Sequence, residues 1–130
     1  MIILDTSFLF AYFQSTDVHH KKALEYAKNL DNEKILLPYD ILKELITVIT
    51  YKISSEEALK VLDALTVKDS PIELLHIDDI MNEQSLKLFK ELSPHKFSFI
   101  DVLLIYLSKT FNCKVLTFDK VLMDKLSTNR

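Results

Sequence analysis

The feature that most constrains this chain is a recurrence of short apolar runs set apart by longer helical stretches. The runs are Ile2-Ile3-Leu4, Lys34-Ile35-Leu36-Leu37-Pro38, Ile72-Glu73-Leu74-Leu75-His76-Ile77 and Lys114-Val115-Leu116-Thr117-Phe118. Runs this brief, partly β-branched and bounded by polar residues or proline, read as strands. Strands that alternate with helices pair in parallel and need cover on both faces. The expected fold is α/β: a three-layer α/β/α sandwich around a four- or five-stranded parallel sheet. With 130 residues and no repeat, linker or low-complexity stretch, residues 1–130 read as a single domain with material for a real core.

Helix ends punctuate the rest. Residues 8–13 continue from the first run as a short, strongly apolar helix or turn. The loop Gln14-Ser15-Thr16-Asp17 follows, with Thr16 or Asp17 as the expected cap of an amphipathic helix over residues 19–30. Asp40 is the expected cap of a helix running to about Lys52. Ser54 or Ser55, followed by Glu56-Glu57, opens a helix to about Leu65. Asp78 or Asp79 begins one reaching Leu92. Ser98 starts a very apolar one through Lys109, and Asp119 leads into a terminal helix. Residues 127–130 are expected to fray.

Composition removes several functional classes. Glycine is absent, which argues against a Gly-rich phosphate loop or a dinucleotide fingerprint. Cys113 is the single cysteine, so neither an internal disulfide nor a cysteine-based zinc cluster can form. Its apolar neighbours make it a small core residue rather than a nucleophile. No segment is long and apolar enough to span a bilayer. The apolar amino terminus is interrupted by Asp5 and lacks a basic leader, so a cytoplasmic location is expected. The net charge of −3 argues against a broad electrostatic footprint for nucleic acid. Neutralising a few clustered acids would turn the balance slightly positive, so a polyanionic substrate stays open.

The candidate chemistry gathers at Asp5. It closes the first strand, and open α/β sheets place their chemistry at the carboxyl ends of strands. Glu44, Asp101 and Asp119 are the partners that the fold is expected to bring to it. Each acid also has an ordinary explanation. Asp5 and Asp119 can be helix N-caps, worth about 1 kcal/mol each. Asp101 completes Ser98-Phe99-Ile100-Asp101, the pattern of a capping box. Glu44 falls at the border of the apolar face that carries Ile41, Leu45 and Ile49. Against this, Asp101 lies on a nearly all-apolar helix with no basic residue at helical spacing. An ionised carboxylate there is costly unless paired or bound to metal. Converging carboxylates repel one another, and a divalent cation removes that repulsion. Oxygen-only ligand sets suit Mg²⁺ or Mn²⁺ rather than zinc. Such ions, roughly 4 Å apart in two-metal sites, activate water and stabilise the leaving oxygen of a phosphodiester. A phosphatase with Asp5 as nucleophile is the rival enzyme class. Its familiar arrangement has a second aspartate two positions on, where this chain has Ser7.

In four pieces the sequence resembles the PIN-domain family, and within it the small VapC-type toxin ribonucleases. The pieces are Ile3-Leu4-Asp5-Thr6-Ser7, Glu44 within Ile41-Leu42-Lys43-Glu44-Leu45, Phe97-Ser98-Phe99-Ile100-Asp101-Val102-Leu103-Leu104, and Leu116-Thr117-Phe118-Asp119. Each is weak alone, and the ordered set spans essentially the whole chain. The resemblance implies a Mg²⁺- or Mn²⁺-dependent endoribonuclease that hydrolyses RNA phosphodiester bonds with metal-activated water. It implies metal coordination by Asp5, Glu44, Asp101 and Asp119, with Ser7 and Thr117 supporting the site by hydrogen bonding. It also implies a homodimer, and inhibition by a cognate antitoxin whose tail occludes the site. The alternative within the same fold is an inactive PIN-like scaffold that binds RNA or protein without cutting. Two departures stand out. Little chain follows Asp119 to form the fifth edge strand common in the family. The loop before the last strand, where glycine is frequent, reads Asn112-Cys113-Lys114.

Other groups read as structural. His19-His20-Lys21-Lys22 could hold RNA phosphates, but a solvated helix face is preferred. His76 and His95 are isolated and neither is taken as a general base; Lys96 is taken as a loop lysine. Tyr12, Tyr39, Phe8, Phe10 and Phe13 are assigned to the core or a self-association surface rather than to base stacking.

Overall fold

A computed structural model of the chain describes residues 1–128. In chain order the elements are β1 (Ile2–Leu4), α1 (Thr6–Phe13), α2 (His20–Lys28), β2 (Ile35–Pro38), α3 (Tyr39–Lys52), α4 (Ser55–Thr66), β3 (Ile72–Leu75), α5 (Asp79–Glu91), α6 (Phe99–Phe111), β4 (Lys114–Leu116) and α7 (Lys120–Thr128). The four strands form one parallel sheet in the order β3-β2-β1-β4. The chain therefore steps from β1 to β2 to β3 in one direction, then crosses back to place β4 on the other side of β1. Right-handed crossovers put helices on opposite faces when the direction reverses. The packing agrees: α1 meets α2 and α3, and α3 meets α4, while α5 packs on α6 and α6 on α7. The result is the three-layer α/β/α sandwich. Among the described residues the sheet has four strands, because the sequence after Asp119 forms α7 rather than a fifth.

Burial follows the layers. The inner strands β1 and β2 are buried throughout, whereas the edge strands β3 and β4 are only partly covered. Ile41, Leu45 and Ile49 of α3 and Leu104, Ile105 and Leu107 of α6 are fully buried from the two sides. Truncating any one of them to alanine removes packing worth about 2–5 kcal/mol. Cys113 is buried in this core. It also carries part of the α6–β4 corner, since its carbonyl accepts from Ser108 Oγ at 2.7 Å.

Several boundaries differ from the sequence reading, each for a local reason. The helix expected over residues 19–30 is shorter and begins at His20 after His19, which makes no side-chain capping bond. Asp17 instead accepts from His19 N at 2.8 Å, closing the turn that precedes the helix. Asp40 is not the cap of α3: Pro38 precedes the helix and Asp40 lies in its first turn. Proline's missing N–H and fixed φ suit a helix entry. Ser54 caps α4 and Asp78 caps α5 through their side chains. The third and fourth strands are trimmed to their paired residues, Ile72–Leu75 and Lys114–Leu116. Of the residues expected to fray, Ser127 and Thr128 are helical, while 129 and 130 lie outside the described residues.

Candidate active site

The carboxyl ends of β1 and β4 are tied together by polar side chains. Backbone pairing aligns Leu4 with Leu116, and Asp5 N donates to Leu116 O at 3.0 Å. Asp5 is thus fixed beside Thr117. One carboxylate oxygen, Oδ1, accepts from Thr6 N at 2.7 Å and caps α1. The other, Oδ2, accepts from Thr117 Oγ1 at 2.6 Å and from Ser7 Oγ at 3.2 Å. The two hydroxyls stand 3.0 Å apart. They in turn accept from the following backbone, Ser7 Oγ from Phe118 N at 2.9 Å and Thr117 Oγ1 from Asp119 N at 3.0 Å. Ser7 and Thr117 therefore hold both Asp5 and the turn that presents Asp119.

Asp5 is only 6% exposed. Burial raises its carboxyl above the ordinary value of 3.8, and the hydrogen bonds from Thr117, Thr6 and Ser7 oppose that rise. Repulsion from Glu44 adds to it. An electrostatic cost is already present at this spot, of the kind a cation would relieve.

The other three acids come from remote elements. Glu44, exposed on α3, accepts from Thr6 Oγ1. Asp101 lies in the first turn of α6 and forms a capping box with Ser98: Asp101 Oδ2 accepts from Ser98 N and Ser98 Oγ from Asp101 N, both at 3.0 Å. Asp119 Oδ1 accepts from Leu122 N at 3.0 Å at the start of α7. The capping explanation is thus real for Asp5, Asp101 and Asp119. It uses one oxygen of Asp101 and one of Asp119. All four acids nevertheless line one cavity of about 450 Å³. This cavity lies where the strand order reverses direction, the position at which open α/β sheets bind ligands.

The donor set is all oxygen, which fits a hard divalent cation such as Mg²⁺ or Mn²⁺. Spacing is another matter. Among the described residues no three His, Cys, Asp or Glu side chains are grouped tightly enough to hold a metal ion. Asp101 and Asp119 each spend an oxygen on their own helix ends.

The same cavity is lined by residues that sequence reasoning did not select: Asp17, His19, Lys52, Phe10 and Phe118. Phe10, expected in the core or at a self-association surface, forms part of the wall, with Lys52 Nζ 5.7 Å from its ring centre. His19 gave a partial signal as the start of the basic run. Asp17 and Lys52 gave none, because only the fold of the 14–19 turn and the length of α3 carry them there. The remaining histidines with resolved contacts are structural. His20 Nδ1 pairs with Ala11 O at 2.7 Å, and His95 bridges Phe89 O and Phe97 N.

Residues 2–127 match the family described as PIN domain. No curated protein sequence matches the chain. Among solved structures, it is similar to Mycobacterium tuberculosis VapC20, a Sarcin-Ricin loop cleaving toxin, with 16% identity and a TM-score of 0.85 over 95% of this chain and 94% of that one. It is similar to VapBC2 from Rickettsia felis, solved bound to a DNA fragment from their promoter, with 17% identity and a TM-score of 0.73 over 95% and 92%. It is also similar to FitAcB from Neisseria gonorrhoeae, with 16% identity and a TM-score of 0.70 over 98% and 94%. At such identities the likeness establishes the fold.

Proposed function

The chain belongs to the PIN-domain family, and from that premise we propose that it is a Mg²⁺- or Mn²⁺-dependent endoribonuclease. The observation that carries the reading is the meeting of Asp5, Glu44, Asp101 and Asp119 on one cavity at the reversal point of the sheet. These residues lie far apart in sequence, and separate capping roles do not require them to share a cavity.

In this reading the four carboxylates hold the cation. When bound, a divalent ion supplies an activated water and screens the charge that develops on a phosphodiester. Asp5 is the fixed member, since Thr6, Ser7 and Thr117 lock both of its oxygens. Thr6 also orients Glu44 through its hydroxyl. Lys52 brings a cation into a cavity lined with acids, where it can meet a substrate phosphate.

The reading extends to a biological role, supported by the likeness to the toxin VapC20. The protein acts as the toxin of a toxin–antitoxin pair, as a cytoplasmic homodimer blocked by a cognate antitoxin. Among the described residues no helix is long and apolar enough to cross a membrane.

A second reading has an observation of its own. The absence of a tight group of ligating side chains among the described residues favours a PIN-like scaffold that binds RNA or protein without cutting. Cleavage of single-stranded RNA separates the two. The nuclease reading expects cleavage in Mn²⁺, none in EDTA, and at least about a hundredfold loss in Asp5→Asn, on the scale of removing one charge-stabilising group from an active site. Equal cleavage by wild type and Asp5→Asn would overturn it.

A further inference from the structure

The acids of the cavity have an aromatic neighbour that they do not use. Phe8, buried in the core, stacks on Phe118 with ring centres 5.8 Å apart and planes 21° apart. Phe118 stacks on His19 at 4.5 Å and 7°, close to parallel. The three rings form a column that starts in the core and ends at an exposed residue. The middle and exposed members, Phe118 and His19, line the cavity that holds the four carboxylates.

The backbone is tied down at the middle ring and at the exposed one. Phe118 N donates to Ser7 Oγ, next to Asp5, and Asp119 follows Phe118 directly. His19 N donates to Asp17 Oδ1 at 2.8 Å, and the next residue, His20, is anchored to Ala11 O. A surface histidine without such anchors would sample several rotamers at a cost to any stacking partner. Here the backbone on both sides of the ring is tied down, and the imidazole lies against Phe118.

We propose that the His19–Phe118 pair is a base-stacking platform, on which one nucleobase of a single-stranded RNA rests beside the carboxylate cluster. The proposal rests on the nuclease reading for its substrate and adds a positioning residue to it. A parallel π-stack ending at an exposed ring offers the next ring a flat face, and every nucleobase has a face to offer. The platform favours unpaired RNA, since a base within a duplex is already stacked on its neighbours. It carries little preference among the bases, because stacking reads faces and not edges.

The test compares two fluorescein-labelled probes by anisotropy in Mn²⁺: a short single-stranded RNA of mixed sequence, and an abasic oligomer with the same number of phosphates. The Asp5→Asn background prevents cleavage during the measurement. The platform predicts a preference for the base-bearing probe. His19→Ala should weaken that probe's binding by about 5- to 150-fold and leave the abasic probe unaffected. His19→Phe should restore the preference, since it keeps a ring and loses the nitrogens. Equal affinity for the two probes, or a preference that survives His19→Ala, overturns the platform. So does a loss that falls on both probes alike, which would assign His19 to phosphate contact. Cleavage by the wild-type protein, measured separately, decides the nuclease reading: an enzyme that cuts RNA and ignores His19→Ala refutes the platform alone.

Discussion

Asp5 shows how one carboxylate can cap a helix and line a cavity at once. It caps α1, accepts two hydroxyls, and is buried deeply enough that its proton is held more tightly than usual. The sign of the consequence is fixed. A carboxyl whose folded pKa lies above its ordinary 3.8 penalises the folded state whenever it is ionised in both states. That penalty is complete at neutral pH and fades as pH falls through the raised value toward 3.8. In EDTA, the stability of Asp5→Asn relative to wild type should therefore be greatest near neutral pH and decline on acidification. Urea denaturation across that range checks it, and a difference that is flat with pH would contradict it. That Asp5, Glu44, Asp101 and Asp119 would share one cavity was legible because two of them follow strands and two interrupt apolar helix faces. Lys52 and Asp17 were not, because a lysine at a helix end or an aspartate in a turn costs nothing wherever it points.

At the scale of elements, caps and corners decide where the acids stand. The Ser98–Asp101 box fixes the start of α6 and with it the placement of Asp101. Ser98→Ala should cost about 1 kcal/mol in urea denaturation and leave Mn²⁺ affinity intact, since the backbone N–H of residue 98 still holds Asp101 Oδ2. A matching collapse of both quantities would mean that the serine belongs to the metal site. The α6–β4 corner depends on Asn112, which takes the left-handed conformation at φ 49° in a chain without glycine. Asparagine is among the few other residues that tolerate this region. Asn112→Val should lose about 1–2 kcal/mol and Asn112→Gly should lose little or none; equal losses in both would refute the backbone explanation. The helices with serine or aspartate caps were predicted to within a residue or two. The caps of α2 and α3 were misassigned because a helix can begin without a side-chain cap. At α3 proline supplies the entry, and at α2 the aspartate that promised a cap closes the preceding turn instead.

At the scale of the molecule, the strand order does the assembling. Because β4 crosses back to lie beside β1, the acids after those two strands meet at one end of the sheet, and α3 and α6 contribute theirs from the two covering layers. The alternation of apolar runs and helices foretold the parallel sheet and left its strand count at four or five. Strand order itself was not legible, since short apolar runs do not name their neighbours. The central claim is that this topology makes four distant carboxylates a single cation site, and calorimetric titration with Mn²⁺ tests it most directly. Wild type should bind Mn²⁺, and Asp5→Asn, Glu44→Gln, Asp101→Asn and Asp119→Asn should each bind it more weakly. A wild-type protein that takes up no Mn²⁺, or four variants that bind it as well as wild type, would contradict the account.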